Sequence, residues 1–273
     1  MNIGIIGQGF VGNAVREKFE NYYGVRAYDL KAMLSTASEQ EALDNEIVFI
    51  CLPTPMNKDG SCYTDIVEKA IQRAVEFGIA KIVVIKSTVS PGTTAKWNEQ
   101  FPSLDIVFNP EFLTEANAVS DYENQTRIIL GGPRNATTKL KPVFAKVFPK
   151  ASIIKTDSTY AEMVKYVTNS FLATKVSFAN EMYQICKKLD VDYDKVVEYA
   201  CYDERLGKSH WSVPGPDGDF GYGGHCFPKD VKALISLAEG LEIFPEMLLS
   251  TDAKNHEVRT NKDWEQMKGR AIL

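Results

Sequence analysis

The join between the first strand and the first helix constrains this chain more than any other stretch. Residues 2–6 form an apolar, strand-like run, and Gly7, Gly9 and Gly12 follow at once in the spacing Gly-x-Gly-x-x-Gly. Phe10 and Val11 fill the gap between the last two glycines, and residues 13–22 carry apolar side chains at helical spacing. In a strand–turn–helix this pattern cradles a dinucleotide. The first glycine makes the tight turn, the second lets the pyrophosphate approach, and the third lets helix and strand pack closely. A second strand is expected at 25–28, and it ends at Asp29. A carboxylate there bonds a ribose 2′-hydroxyl and repels a 2′-phosphate, which favours NAD over NADP.

The alternation of short apolar runs with amphipathic stretches continues. Strands are expected at 46–52, 81–85, 105–108, 127–130 and 152–155, with helices at 63–77, 92–100 and 135–148. Strands alternating with helices imply an α/β fold, a Rossmann-type doubly wound and mostly parallel sheet spanning 1–157. Ligands of such sheets sit at the carboxyl ends of the strands. The loops there offer Pro53 and Thr54, then Ser87 and Thr88, then Glu111, Phe112, Leu113 and Glu115. The hydroxyls can bond ribose, the nicotinamide amide or a water. The plain alternative is that Ser, Thr and Pro punctuate loops in general. Glu111 and Glu115 are four apart, so they are either a functional pair on one helical face or a solvated one.

Residues 158–273 read as an all-helical domain. No proline or glycine occurs from 160 to 189, and the apolar positions predict one helix of about 30 residues, ~45 Å long. Such a length suits a dimer core or an inter-domain spine. Thr159 and Glu162 have capping-box spacing at its start. Lys165 and Asn169 share a face: they can stabilise a common oxyanion or form a polar stripe towards solvent. Further helices are expected at 194–201, 229–239 and 245–268. A loop over 209–224 ends in Gly221, Tyr222, Gly223 and Gly224, then delivers His225, Cys226, Lys229 and Asp230. A lysine near a thiol raises its thiolate fraction. Pro228 marks the first turn of the next helix, whose dipole acts in the same direction. The alternative is a tight glycine loop around a buried structural cysteine.

Composition narrows the partners. The chain has 273 residues, a net charge of −5 and five cysteines without CxxC spacing. Negative charge argues against a nucleic-acid partner. No run of 18 apolar residues suggests a membrane span. No signal peptide is read at the start. The thiols suggest a reducing cytoplasm with no metal site and no disulfide frame.

Taken together, Gly7 to Gly12, Pro53-Thr54-Pro55, Ser87-Thr88, residues 109–115, Lys165 with Asn169, residues 203–207 and residues 221–230 resemble, in order and spacing, the nucleotide-sugar dehydrogenases (the UDP-glucose/GDP-mannose dehydrogenase family). The resemblance covers essentially the whole chain. It implies oxidation of a sugar C6 alcohol to a carboxylate with two NAD, UDP-glucose being the first candidate among the nucleotide sugars. It makes Cys226 the nucleophile, and Lys165 and Asn169 the oxyanion stabilisers. Thr88, Glu115 and Asp230 would position or activate water. Glu111, Phe112, Leu113, Glu115, Tyr222 and Gly223 would line the substrate, with Lys229 near the cofactor. Arg205 matches an arginine that reaches a neighbouring subunit's site, in a homodimer built on the long helix. Members of the family run longer, with a second nucleotide-type domain for the uridine half. This sequence stops where that domain's first strand is expected, and its 209–218 loop is longer than in several members.

Overall fold

A computed structural model describes residues 1–78, 81–114 and 117–273. By internal contacts the chain forms two compact units. Unit 1 comprises Met1–Thr54 and Thr64–Lys165; unit 2 comprises Pro55–Tyr63 and Tyr166–Leu273.

Unit 1 is built on one sheet. Its strands are β1 (Asn2–Ile6), β2 (Gly24–Tyr28), β3 (Ile47–Ile50), β4 (Ile82–Ile85), β5 (Asp105–Phe108), β6 (Arg127–Gly131) and β7 (Ser152–Thr156). They lie in the order β2-β1-β3-β4-β5-β6-β7, all parallel except the β5–β6 pair. The doubly wound, mostly parallel sheet expected from the sequence is therefore present. Central strands β3 and β4 are buried at every residue, as strands covered on both faces must be. Their side chains alternate between two cores. Ile47, Phe49 and Val84 join one with Phe19 and Phe144, whereas Val48, Ile50, Val83 and Ile85 join the other with Ile71 and Trp97. Phe19 sits edge-on to Phe49 and Phe144, with ring centroids 5.1 and 5.5 Å away.

The helices of unit 1 are α1 (Phe10–Phe19), α2 (Glu39–Leu43), α3 (Asp65–Phe77), α4 (Thr93–Gln100), α5 (Ala118–Glu123) and α6 (Arg134–Val147). Helix α1 starts three residues before the expected position because Gly9 is its N-cap and Gly12 lies inside it. Two further short helices, α2 and α5, carry too little periodicity to read from sequence.

Helix α7 (Ser158–Leu189) is continuous over 32 residues and passes from unit 1 into unit 2. The expected capping box at its start does not form. The Glu162 carboxylate instead accepts the N–H groups of Gly92, at 2.7 Å, and Thr94, at 2.8 Å, and so caps α4. Gly92 has a positive φ and no side chain to do that itself.

Unit 2 adds α8 (Tyr193–Ala200), α9 (Phe227–Gly240) and α10 (Glu246–Val258). Its cores gather Ala173, Tyr222, Val231 and Ile235, and separately Ala179, Cys186, Tyr193 and Val213. Helix α10 ends ten residues before the expected 268. The Asn261 side chain accepts from Arg259 Nε and from the Asp263 N–H, and Lys262 takes φ +41°. An Asx turn of this kind competes with the helix. Residues 55–63 form a hairpin: Met56 bridges Cys62, and the Tyr63 N–H donates to Pro55 O at 2.9 Å.

Candidate active site

In unit 1, the turn after β1 is shaped by its glycines. Gly7 has φ +92°, and a Cβ there would stand 2.5 Å from Cys51 O. A Cβ on Gly12 would run into Gly7 O, whereas Gly9 faces open space. Gly9, the N-cap of α1, has no side chain to cap it, and a helix N-terminus favours an anion. Asp29, at the end of β2, accepts the Gln8 N–H through Oδ2 and the Lys31 N–H through Oδ1, both at 2.8 Å. A carboxylate has about four acceptor sites, so Asp29 keeps capacity for a hydroxyl while it ties down the glycine turn. An open Gly9, the start of α1 and this carboxylate fit a dinucleotide.

The next two loops are laced to each other. The Thr54 hydroxyl donates to Thr88 O at 2.7 Å, and the Ser87 hydroxyl accepts the Leu52 N–H at 3.0 Å. Both hydroxyls thus bond backbone, Thr88 is buried beside them, and Pro53 stays exposed.

The loop after β5 leads to a buried ion pair. Lys165 Nζ donates to Glu111 Oε1 at 2.9 Å and to Glu111 O at 2.6 Å. The other carboxylate oxygen accepts the Leu113 N–H at 2.7 Å. Burial pushes the Glu111 carboxyl up, but the Lys165 charge and these hydrogen bonds outweigh it and hold it below its ordinary value. Lys165 also lies over the Phe112 ring, 5.5 Å from its centroid, and Arg127 stacks on that ring at 4.2 Å. Glu115, named from sequence for several roles, lies outside the described residues.

In unit 2, Cys226 is the residue before α9, and Pro228 falls in that helix's first turn, as expected. Asp230 is 1% exposed. It accepts from Asn169 Nδ2 at 2.6 Å and from Lys229 Nζ, while its N–H donates to Cys226 O at 3.0 Å. Burial lowers the Lys229 ammonium's pKa. The Asp230 charge, aided by the Cys62 and Cys226 sulfurs, reverses that and leaves it raised. Lys229 is therefore a permanent cation beside the thiol. Tyr222 is buried, its main chain is held by Asn255 in both directions, and its hydroxyl has no hydrogen-bond partner among the described residues. A Cβ on Gly223 would strike the Arg259 guanidinium and Asp263. Arg259, 2% exposed, pairs with Asp217 at 2.7 Å and Asp263 at 3.2 Å, and Asp263 accepts the Gly224 N–H at 2.9 Å. His225, the residue before Cys226, is buried. Arg205 is exposed and pairs with Asp203, apart from the buried cluster.

Four residues escaped the sequence reading. Asn255 lies on α10, a helix with little amphipathic signal, and Arg259 is the residue that follows it. Cys62 sits in the hairpin that joins unit 2 through contacts remote in sequence. Lys86 had a legible mark: it is the one charge closing the apolar run of β4.

A doubly wound sheet with an open glycine turn and an acid at the end of β2 defines the first class: a dehydrogenase-type, NAD-binding Rossmann unit. The family model "UDP-glucose/GDP-mannose dehydrogenase family, NAD binding domain" matches residues 20–148, and the same family's central domain matches residues 159–257. The chain belongs to the UDP-glucose/GDP-mannose dehydrogenase family, and its cofactor is NAD. It is 35% identical over 250 residues to the UDP-glucose 6-dehydrogenase of Haloferax volcanii, covering 85% of this chain and 56% of that one. It also superposes on a UDP-glucose dehydrogenase structure from Pyrobaculum islandicum with a TM-score of 0.84 and 28% identity, over 94% of this chain and 68% of that one. A 3-hydroxyisobutyrate dehydrogenase from Mycobacterium tuberculosis shares the fold alone, with a TM-score of 0.73 at 17% identity over 94% of this chain and 92% of that one. The chain spans about half the length of the curated relatives it matches.

Proposed function

We propose that the protein oxidises the C6 alcohol of a nucleotide sugar, UDP-glucose first among them, to the carboxylate in two successive NAD-dependent steps. The observation that most supports this reading is the buried Asn169–Asp230–Lys229 cluster at the start of α9, next to the Cys226 thiol. NAD, when bound, accepts one hydride per oxidation. The residues of the chain do the rest. Lys165 and Asn169 stabilise the C6 oxygen as it gains negative charge. The Cys226 sulfur bonds to the aldehyde carbon to give a thiohemiacetal, which the second oxidation turns into a thioester. The permanent Lys229 cation favours the thiolate that attacks. Water, positioned by Thr88, Glu115 and Asp230, cleaves the C–S bond and restores the thiol, Glu115 being the candidate base. Glu111, Phe112, Leu113, Tyr222 and Gly223 contact the sugar and phosphates.

The proposed setting is the reducing cytoplasm, where such a thiol persists. The proposed assembly is a homodimer through α7, with Arg205 serving the partner's site. Tyr160, Val167, Phe171, Phe178, Ile185 and Leu189 are exposed along that helix. At 3.6 residues per turn they fall within an arc of about 40°, an apolar stripe of the kind that marks an interface.

The test is to count NADH formed per UDP-glucose consumed, with Cys226→Ser alongside. Two NADH per sugar, and no carboxylate from the variant, are expected. One NADH per sugar, unchanged in the variant, would assign a single oxidation of the β-hydroxyacid type and sink the proposal. GDP-mannose and UDP-N-acetyl sugars, assayed the same way, decide which sugar is preferred.

A further inference from the structure

Beneath the Glu111–Lys165 pair lies a second buried cation. Lys86, 2% exposed, is the residue after β4, and its N–H donates to Ile50 O at 2.9 Å, extending the sheet's ladder. Its ammonium donates to Asn109 Oδ1 at 2.9 Å and reaches Pro110 O at 3.5 Å. It also sits 5.3 Å from the centre of the Tyr122 ring. Asn109 is gripped from two more sides: its N–H donates to Ile85 O at 2.9 Å and its Nδ2 to Ile129 O at 2.7 Å. Residues 109 and 110 thus hang on Lys86, and the next residue is Glu111, which holds Lys165 by backbone oxygen and carboxylate together.

The ionisable groups around Lys86 are few. Cys51 follows β3, and loss of solvation pushes its thiol up to about 12, so it is neutral. Tyr122, on α5, is buried, which drives its hydroxyl well above the ordinary value, so it too is neutral. Glu111 and Lys165 are charged. Both ammonium groups act on the Glu111 carboxylate. A buried cation is costly unless its surroundings use it.

We propose that Lys86 is a positioning residue: it fixes the strand end at 109–111, and through Glu111 it sets the place of Lys165. This rests on the reading of Lys165 as the group that meets the C6 oxygen. Lys86 acts through the loop: it holds residues 109 and 110, and Glu111, the next residue, fixes the Lys165 ammonium.

Burial dominates at Lys86 and lowers its pKa to about 8, with Glu111 opposing and Lys165 adding to the fall. The proposal therefore has a consequence in the unsubstituted protein. Carbon NMR of the Glu111 carboxyl should show a second inflection near pH 8, as Lys86 loses its proton. In Lys86→Met that inflection should vanish, and the acid-side midpoint of Glu111 should move up. Asn109→Ala, which keeps the cation and removes its shortest bond, should retain the inflection but weaken it. With UDP-glucose, kcat should fall about a hundredfold in Lys86→Met, as for a displacement of about 1 Å. The KM for NAD should stay within about twofold, the pattern of an interaction felt in the transition state alone. A Glu111 signal without an inflection near pH 8 in the unsubstituted protein would overturn the proposal, as would a Lys86→Met enzyme with an unchanged kcat. If the unsubstituted protein oxidises no nucleotide sugar, the reading of Lys165 fails, and the NMR titration still decides whether Lys86 governs the pair.

Discussion

Asp29 has two tasks. It secures the glycine turn through the Gln8 and Lys31 amides, and its proposed second task is to discriminate against a 2′-phosphate. Hydrogen bonds to a charged acceptor are worth about 1.5–3 kcal/mol each. Asp29→Ala should thus weaken NAD binding by about tenfold or more and narrow the preference for NAD over NADP. Calorimetric titration of both dinucleotides measures this, and an unchanged ratio would remove Asp29 from cofactor selection. At this scale the sequence was legible where function is written in side-chain type and short spacing. Gly7, Gly9 and Gly12 sit within six residues, and Cys226, Lys229 and Asp230 within five, so both candidate groups were visible as local patterns. What it concealed was the partner of each charge. The bond from Asn169 to Asp230 spans 61 positions and that from Lys165 to Glu111 spans 54, and no local pattern records such distances. Thr54 and Ser87 illustrate the converse: they read as free loop hydroxyls, yet each is engaged with backbone.

Among the elements, β1 to β7 and most helices followed from periodicity alone, because strands buried on both faces and one-sided helices leave different marks on sequence. The failures lie at the ends of helices. Glu162 had the right spacing to cap its own helix, but α4 starts at a glycine with nothing to offer its amides, and the carboxylate serves that end from 68 and 70 residues away. Glu162 is wholly buried, so its removal leaves two donors unsatisfied. Glu162→Ala should cost about 2 kcal/mol of stability, read as a lower midpoint in urea unfolding. A midpoint equal to that of the unsubstituted protein would show that the cap contributes nothing. Helix α10 stopped early for a related reason: the Asn261 side chain outbids the backbone for the nearby donors.

The whole molecule shows what only tertiary contact decides. The sequence drew its boundary at 157, whereas contacts divide α7 after Lys165 and assign residues 55–63 to unit 2. The apolar stripe along α7 makes a prediction at this scale. Phe171→Asp with Phe178→Asp should turn the proposed dimer into a monomer by light scattering, since a buried unpaired carboxylate is too costly for an interface to keep. A parent protein that is already monomeric would rule the dimer out. The hairpin at 55–63 carries a different consequence. Met56 donates its N–H to Ala271 O at 2.8 Å and accepts that of Leu273 at 3.1 Å. On the ribosome, the hairpin emerges long before those residues are made. Its two bonds to residues 271 and 273 cannot form until those residues have cleared the exit tunnel. The order of synthesis thereby sets when this corner of unit 2 can close.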